Sequence, residues 1–182
     1  MKIMSHLFPV ILIMFATGCD QSTTTPEDVE AGYLVINEFL ASNDTTNTDE
    51  YGEFDDWVEL FNGKSTPVDI GGMYISDAAD DLTPWQIPAN DAMSTTIDAG
   101  GFLILWCDKQ PEQGTLHVDI KLSNEGESII LWESDATTLV DSLSFGPINA
   151  GISMGRLLDG GNTWGTFSTP TPGASNQISS FK

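Results

Sequence analysis

Carboxylates supply most of the chemistry this chain could do. Asp44, Asp49, Glu50, Glu53, Asp55 and Asp56 crowd one polar stretch, and Asp77, Asp80 and Asp81 a second. Calcium takes about six to eight hard oxygens, which carboxylates interleaved with Asn and Thr can provide. Asp55, Asp56, Asp77, Asp80 and Asp81 are therefore the candidate metal ligands. Neither stretch has the spacing of an EF-hand loop, and a run of acids in a chain this acidic usually makes a solvated face. Transition metals have less to hold them, because only one histidine, His117, and one thiol, Cys107, follow residue 19.

Two further carboxylates raise a different question. Glu38 and Glu59 each stand among apolar residues in alternating stretches, and a buried carboxylate is costly unless something pairs with it. Arg156 is the only arginine, and its planar fork of donors suits such a partner. The expectation is that Arg156 pairs with Glu38 or Glu59 and fixes strand packing; a ligand-binding cluster is the rival. Gly151-Ile152-Ser153-Met154-Gly155 matches the G-x-S-x-G of serine hydrolases, but no histidine follows Ser153 and no helix pattern follows the match. Cys107 and His117 are too loosely related in sequence to imply a thiol–imidazole pair. No enzymatic activity is expected. Among the five tryptophans, Trp57 and Trp106 read as core. Trp85, just after Asp80-Asp81, is the candidate ligand-facing aromatic for a glycan or protein, unless it simply covers the core's edge.

Strands must position these groups. Asp55 to Asn62 alternates, with Trp57, Glu59 and Phe61 on one side and Val58 and Leu60 on the other. Tyr33 to Leu40 places Leu34, Ile36, Glu38 and Leu40 on one face by the same period. Phe102 to Cys107 is the most apolar stretch and is expected to be central and covered on both faces. Further short strands recur between Gly- and Pro-rich turns up to Phe167, and no run of helical period is present after residue 19. That pattern predicts an all-β sandwich with one core over residues 33–176.

Residues 1–18 begin with Lys2, continue through an apolar run from Leu7 to Phe15, and end in Ala16-Thr17-Gly18 before Cys19. They read as a signal peptide, and Ala-Thr-Gly-Cys resembles a bacterial lipobox, which implies lipidation of Cys19. Residues 19–32 then form a polar tether, and 177–182 a flexible tail. With Cys19 lipidated, Cys107 has no partner for an internal disulfide. The net charge is −21, which argues against nucleic-acid phosphate or anionic lipid as ligands.

An ordered set of short motifs spans nearly all of 33–176. Val35-Ile36-Asn37-Glu38 is followed by Asp56-Trp57-Val58-Glu59-Leu60-Phe61-Asn62, then by Pro67-Val68-Asp69-Ile70-Gly71-Gly72-Met73-Tyr74-Ile75-Ser76-Asp77. Leu122-Ser123-Asn124-Glu125-Gly126-Glu127, Val140-Asp141, Gly155-Arg156 with Asp159-Gly160, and Thr171-Pro172-Gly173-Ala174-Ser175-Asn176 complete it. The set resembles the lamin-tail domain family in its bacterial form. The resemblance implies an immunoglobulin-like β-sandwich and a non-enzymatic binding or structural role in an exported protein. Without a coiled-coil rod, filament assembly does not carry over. The expectation is a lipid-anchored module of the bacterial cell envelope with an envelope protein or surface glycan as partner. A calcium-assisted carbohydrate-binding module is the alternative, and no other cofactor is expected.

Overall fold

The computed structural model describes residues 33–78 and 84–176. Two sheets, antiparallel except where β8 pairs parallel to β7, face each other across one apolar core. The larger takes β1 (Leu34–Leu40), β2 (Trp57–Asn62), β7 (Phe102–Cys107), β8 (His117–Val118), β11 (Ser153–Arg156) and β12 (Trp164–Phe167), in the order β12-β11-β1-β2-β7-β8. The smaller is β10-β9-β4-β5, from β4 (Tyr74–Ser76), β5 (Trp85–Gln86), β9 (Glu127–Trp132) and β10 (Leu139–Phe145). A two-stranded ribbon, β3 (Val68–Asp69) with β6 (Thr96–Ile97), follows the single-turn helix α1 (Ala92–Thr95) into its second strand. This is the all-β sandwich that the alternation predicts, of the immunoglobulin-like type that the family resemblance implies. Among the described residues, no helix is long and apolar enough to cross a membrane.

The core is where the two sheets' inward faces meet: Ile36, Phe39, Val58, Leu60 and Leu105 from one, and Ile75, Ile129, Leu131 and Phe145 from the other. Complete burial of side chains this size contributes roughly 1.5–3 kcal/mol each. Alternation in β2 runs as read: Val58 and Leu60 enter the core, while Trp57 joins Leu40 and Trp106 in a smaller cluster.

β1 departs from simple alternation. Its pairing with β2 shifts register between Ile36 and Glu38, leaving Asn37 as an extra residue. A bulge of this kind resets the two-residue phase. Leu34 and Ile36 therefore share the core with Phe39 and Ala41, whereas Leu40 leaves it for the Trp57 cluster. The expected common face of Leu34, Ile36, Glu38 and Leu40 is thus split, and Glu38 becomes the direct cross-strand partner of Glu59.

β7 is also less enclosed than its composition predicts. Leu105, Trp106 and Cys107 are buried, but Phe102, Leu103 and Ile104 are only half-buried. β8 is short and pairs with β7 only at Trp106 and Cys107, so the first half of β7 is a free edge among the described residues.

Candidate functional site

β1 and β7 both run antiparallel to β2, so the end of each lies beside the start of β2. Loop 41–56 leaves β1 there, and loop 108–116 leaves β7. Register then lines up Leu40, Trp57, Trp106 and His117 across four strands. This row fixes His117 beneath the two loops.

The 41–56 loop is shaped by its own polar side chains. Buried Asn43 donates through Nδ2 to the carbonyls of Asn47 and Asp55 (2.8 and 2.9 Å), and its backbone N–H donates to Asp56 Oδ1. Asp49, 7% exposed, accepts the backbone N–H of Tyr51 and of Glu53 on one oxygen, Oδ1, at 2.9 and 2.8 Å. These are the local side-chain-to-backbone bonds that Asn and Asp use to shape turns. The turn presents two exposed aromatics, Tyr51 and Phe54, 58% and 48% exposed. The Tyr51 hydroxyl donates to the Gln113 carbonyl, which ties this loop to the second one.

Two sets of three metal-capable groups converge here. Asp49, Glu50 and His117 have ligand atoms all within 4.8 Å of one another, as do Asp49, Glu53 and Asp55. His117 is buried, with Nδ1 against Asp108 and Nε2 3.4 Å from Glu50 Oε2. Burial alone would push this imidazole down, but Asp108 and Glu50 together hold it above its ordinary value. Asp55 is raised, first by burial and then by the nearby charges of Asp108, Asp49 and Glu53. Crowded acids and an oriented imidazole can hold a divalent cation.

The residues proposed from sequence are dispersed differently. Asp55 joins the cluster, but Asp56 turns away to the Asn43 N–H, and Asp77 Oδ2 accepts the Lys121 N–H at 3.4 Å. Asp80, Asp81 and Cys19 lie outside the described residues. Trp85 is half-buried and packs against the core. Asp49, Glu50 and His117 were visible as residue types. Their convergence, and the role of Asp108, had no local signal because strand register creates both.

Arg156 has a different partner from the one expected. It pairs with Asp141 at 2.8 Å, not with Glu38 or Glu59, and donates from Nε to the Ile36 carbonyl (2.7 Å) and from Nη1 to that of Gly161. Its guanidinium also lies 4.8 Å from the Trp164 ring centroid. Asp141 completes the link by accepting the Ile36 N–H at 2.9 Å. The bulge explains the change, because Glu38 and Glu59 face the C-terminal segment instead. Glu38 accepts from the Ser153 hydroxyl and from the N–H and hydroxyl of Thr171; Glu59 accepts from Asn37 Nδ2 and the Gly173 N–H. Asn176 Nδ2 donates to the carbonyls of Asn37 and Arg156, closing this polar clasp. Ser153 is thus a buried structural hydroxyl. Cys107 is fully buried, its thiol pushed well up first by burial.

A family model described as Lamin Tail Domain matches residues 29–147. No curated protein matches, and neither does any solved structure.

Proposed function

The chain belongs to the lamin tail domain family, and on that premise we propose that it is a lipid-anchored binding module of the bacterial cell envelope, contacting its partner through loop 41–56. Its place in the family makes it a non-enzymatic structural or binding module. The observation carrying the proposed face is the pair Tyr51 and Phe54, exposed on the turn that Asp49 organises. Exposed aromatics held on a fixed turn lose little entropy when a partner covers them, which suits them to anchor an interface. Ala16-Thr17-Gly18-Cys19 and the polar stretch behind it support a lipid tether.

Palmitate labelling in a bacterial host should mark the wild-type chain and place it with membranes, and Cys19→Ser should lose both. Wild-type protein without label would remove the anchor from the proposal. In-cell crosslinking should capture an envelope protein that the Tyr51→Ala/Phe54→Ala double variant does not capture. Equal capture by the variant would move the interface elsewhere.

The second reading, calcium-assisted carbohydrate binding, draws on Asp49, Glu53 and Asp55, an all-oxygen set beside Tyr51. It requires retention on polysaccharide that a chelator abolishes.

A further inference from the structure

His117 makes unequal use of its two ring nitrogens. Nδ1 faces the Asp108 carboxylate, whose side chain is 0% exposed. A carboxylate only accepts, so Nδ1 carries a hydrogen, and the neutral tautomer that a metal requires leaves the lone pair on Nε2. What Nε2 meets is another electron-pair donor, Glu50 Oε2, at 3.4 Å. That is beyond the roughly 2.7–3.2 Å of an N–H···O hydrogen bond, and Nε2 has no hydrogen-bond partner among the described residues. Asp49 adds a third donor: its Oδ1 is committed to two backbone N–H groups, and its buried Oδ2 has no partner. In that tautomer three lone-pair bearers converge, and a cation can take the place of the Nε2 proton.

The distances and atom types narrow the kind. Zinc binds imidazole nitrogen and carboxylate oxygen at about 2.1 Å in a tetrahedron, which sets its ligand atoms about 3.4 Å apart. Calcium takes oxygen ligands and more of them, so an imidazole at the centre disfavours it. A carboxylate on the far nitrogen of a metal-binding histidine fixes tautomer and ring direction, and Asp108 stands there. The Glu50 side chain is 60% exposed, which leaves the approach from solvent open.

We infer that Asp49 Oδ2, Glu50 and His117 Nε2 form a three-ligand site for a divalent cation of the zinc class, with Asp108 as positioning residue and a fourth position facing solvent. The site adjoins the loop's aromatic contact face, since the Tyr51 ring stands edge-on to His117 with centroids 6.0 Å apart. It gives the acidic loop a function that net charge alone does not.

Cobalt(II) is the direct probe, added to the full chain after chelator treatment. A single equivalent should produce the visible absorption of a tetrahedral cobalt site. Zinc should displace it stoichiometrically, and millimolar calcium should not. Glu50→Gln changes a largely exposed side chain and should weaken zinc on the order of tenfold or more. His117→Gln should abolish the cobalt spectrum. Glu125→Gln, an exposed acid outside both metal-capable sets, should bind as wild type. Absence of the cobalt spectrum, displacement by calcium, or a Glu50→Gln variant with unchanged zinc affinity would each overturn the assignment. Because Glu50 is not part of the core, its variant decides the matter even if His117→Gln fails to fold.

Discussion

Glu59→Gln should remove a pH-dependent instability from the sandwich. Glu59 is completely buried in β2, directly across from Glu38. It accepts from Asn37 Nδ2 at 3.2 Å and from the Gly173 N–H at 2.6 Å. These donors favour the ionised form, but burial outweighs them, and Glu38 and Asp159 act with burial to push the carboxyl up to about 8. A folded value above the unfolded one means that the folded state holds this proton more tightly. The stability so gained is complete below about pH 4.5, falls as pH rises, and is exhausted above about pH 8. The gap corresponds to up to about 5 kcal/mol, of which about 3 is lost by pH 7. Against a typical total of about 5–15 kcal/mol, that is a dominant dependence. Urea denaturation between about pH 5 and 9, at constant ionic strength with chelator present, measures it. Glu127, pushed up to about 7 first by burial, and His117, also raised, slope the same way. The quantity to read is therefore the difference between wild type and variant. At low pH the glutamine should cost about 1–2 kcal/mol, because its amide sets a donor against the Asn37 or Gly173 donor. At high pH it should match or exceed wild type. Parallel curves, or a wild type that gains stability from pH 5 to 8, would refute the reasoning.

Arg156→Met should cost about 2–4 kcal/mol in chemical denaturation, because it strips a half-buried carboxylate of its partner and two carbonyls of their donor. Arg156→Lys should recover little of this, since an ammonium lacks the fork needed to reach all three acceptors; a loss below about 1 kcal/mol in either variant would contradict the geometry. Gly126→Ala should destabilise by about 1–3 kcal/mol, because φ is +103° and the new Cβ would lie 2.6 Å from the Phe145 carbonyl oxygen. Gly146→Ala, which meets nothing within 4 Å, is its control. The Cys107 thiol, enclosed and raised, should stay unreactive toward a disulfide reagent in the folded chain and react fully in denaturant; fast labelling of folded protein would show that β7 opens.

Much of the architecture was legible in the residues themselves. Trp57 to Asn62 alternates, and Val58 and Leu60 enter the core as the two-residue period requires. Glu38 and Glu59 announced a buried polar arrangement, since neither could be housed in an apolar strand without partners. Motif order identified the family, although Arg156 and the clasp's 171–176 segment lie beyond the matched residues. These inferences succeed because alternation and turn chemistry are local, carried by residues within one strand or loop.

Partners were decided only by the tertiary structure. A single extra residue at Asn37 turned Glu38 toward Thr171 and left Arg156 to Asp141, and nothing in the string Val35-Ile36-Asn37-Glu38 marks a bulge. The segment from Thr171 to Asn176 was legible as the last family motif, but not as the supplier of the donors that make two buried carboxylates tolerable. His117, ordinary in sequence, meets Glu50 and Asp108 because β8 docks parallel to β7 at Trp106. Such contacts join residues as much as 139 positions apart. The residue types declare which groups need partners, but only the register of the packed strands determines which groups meet.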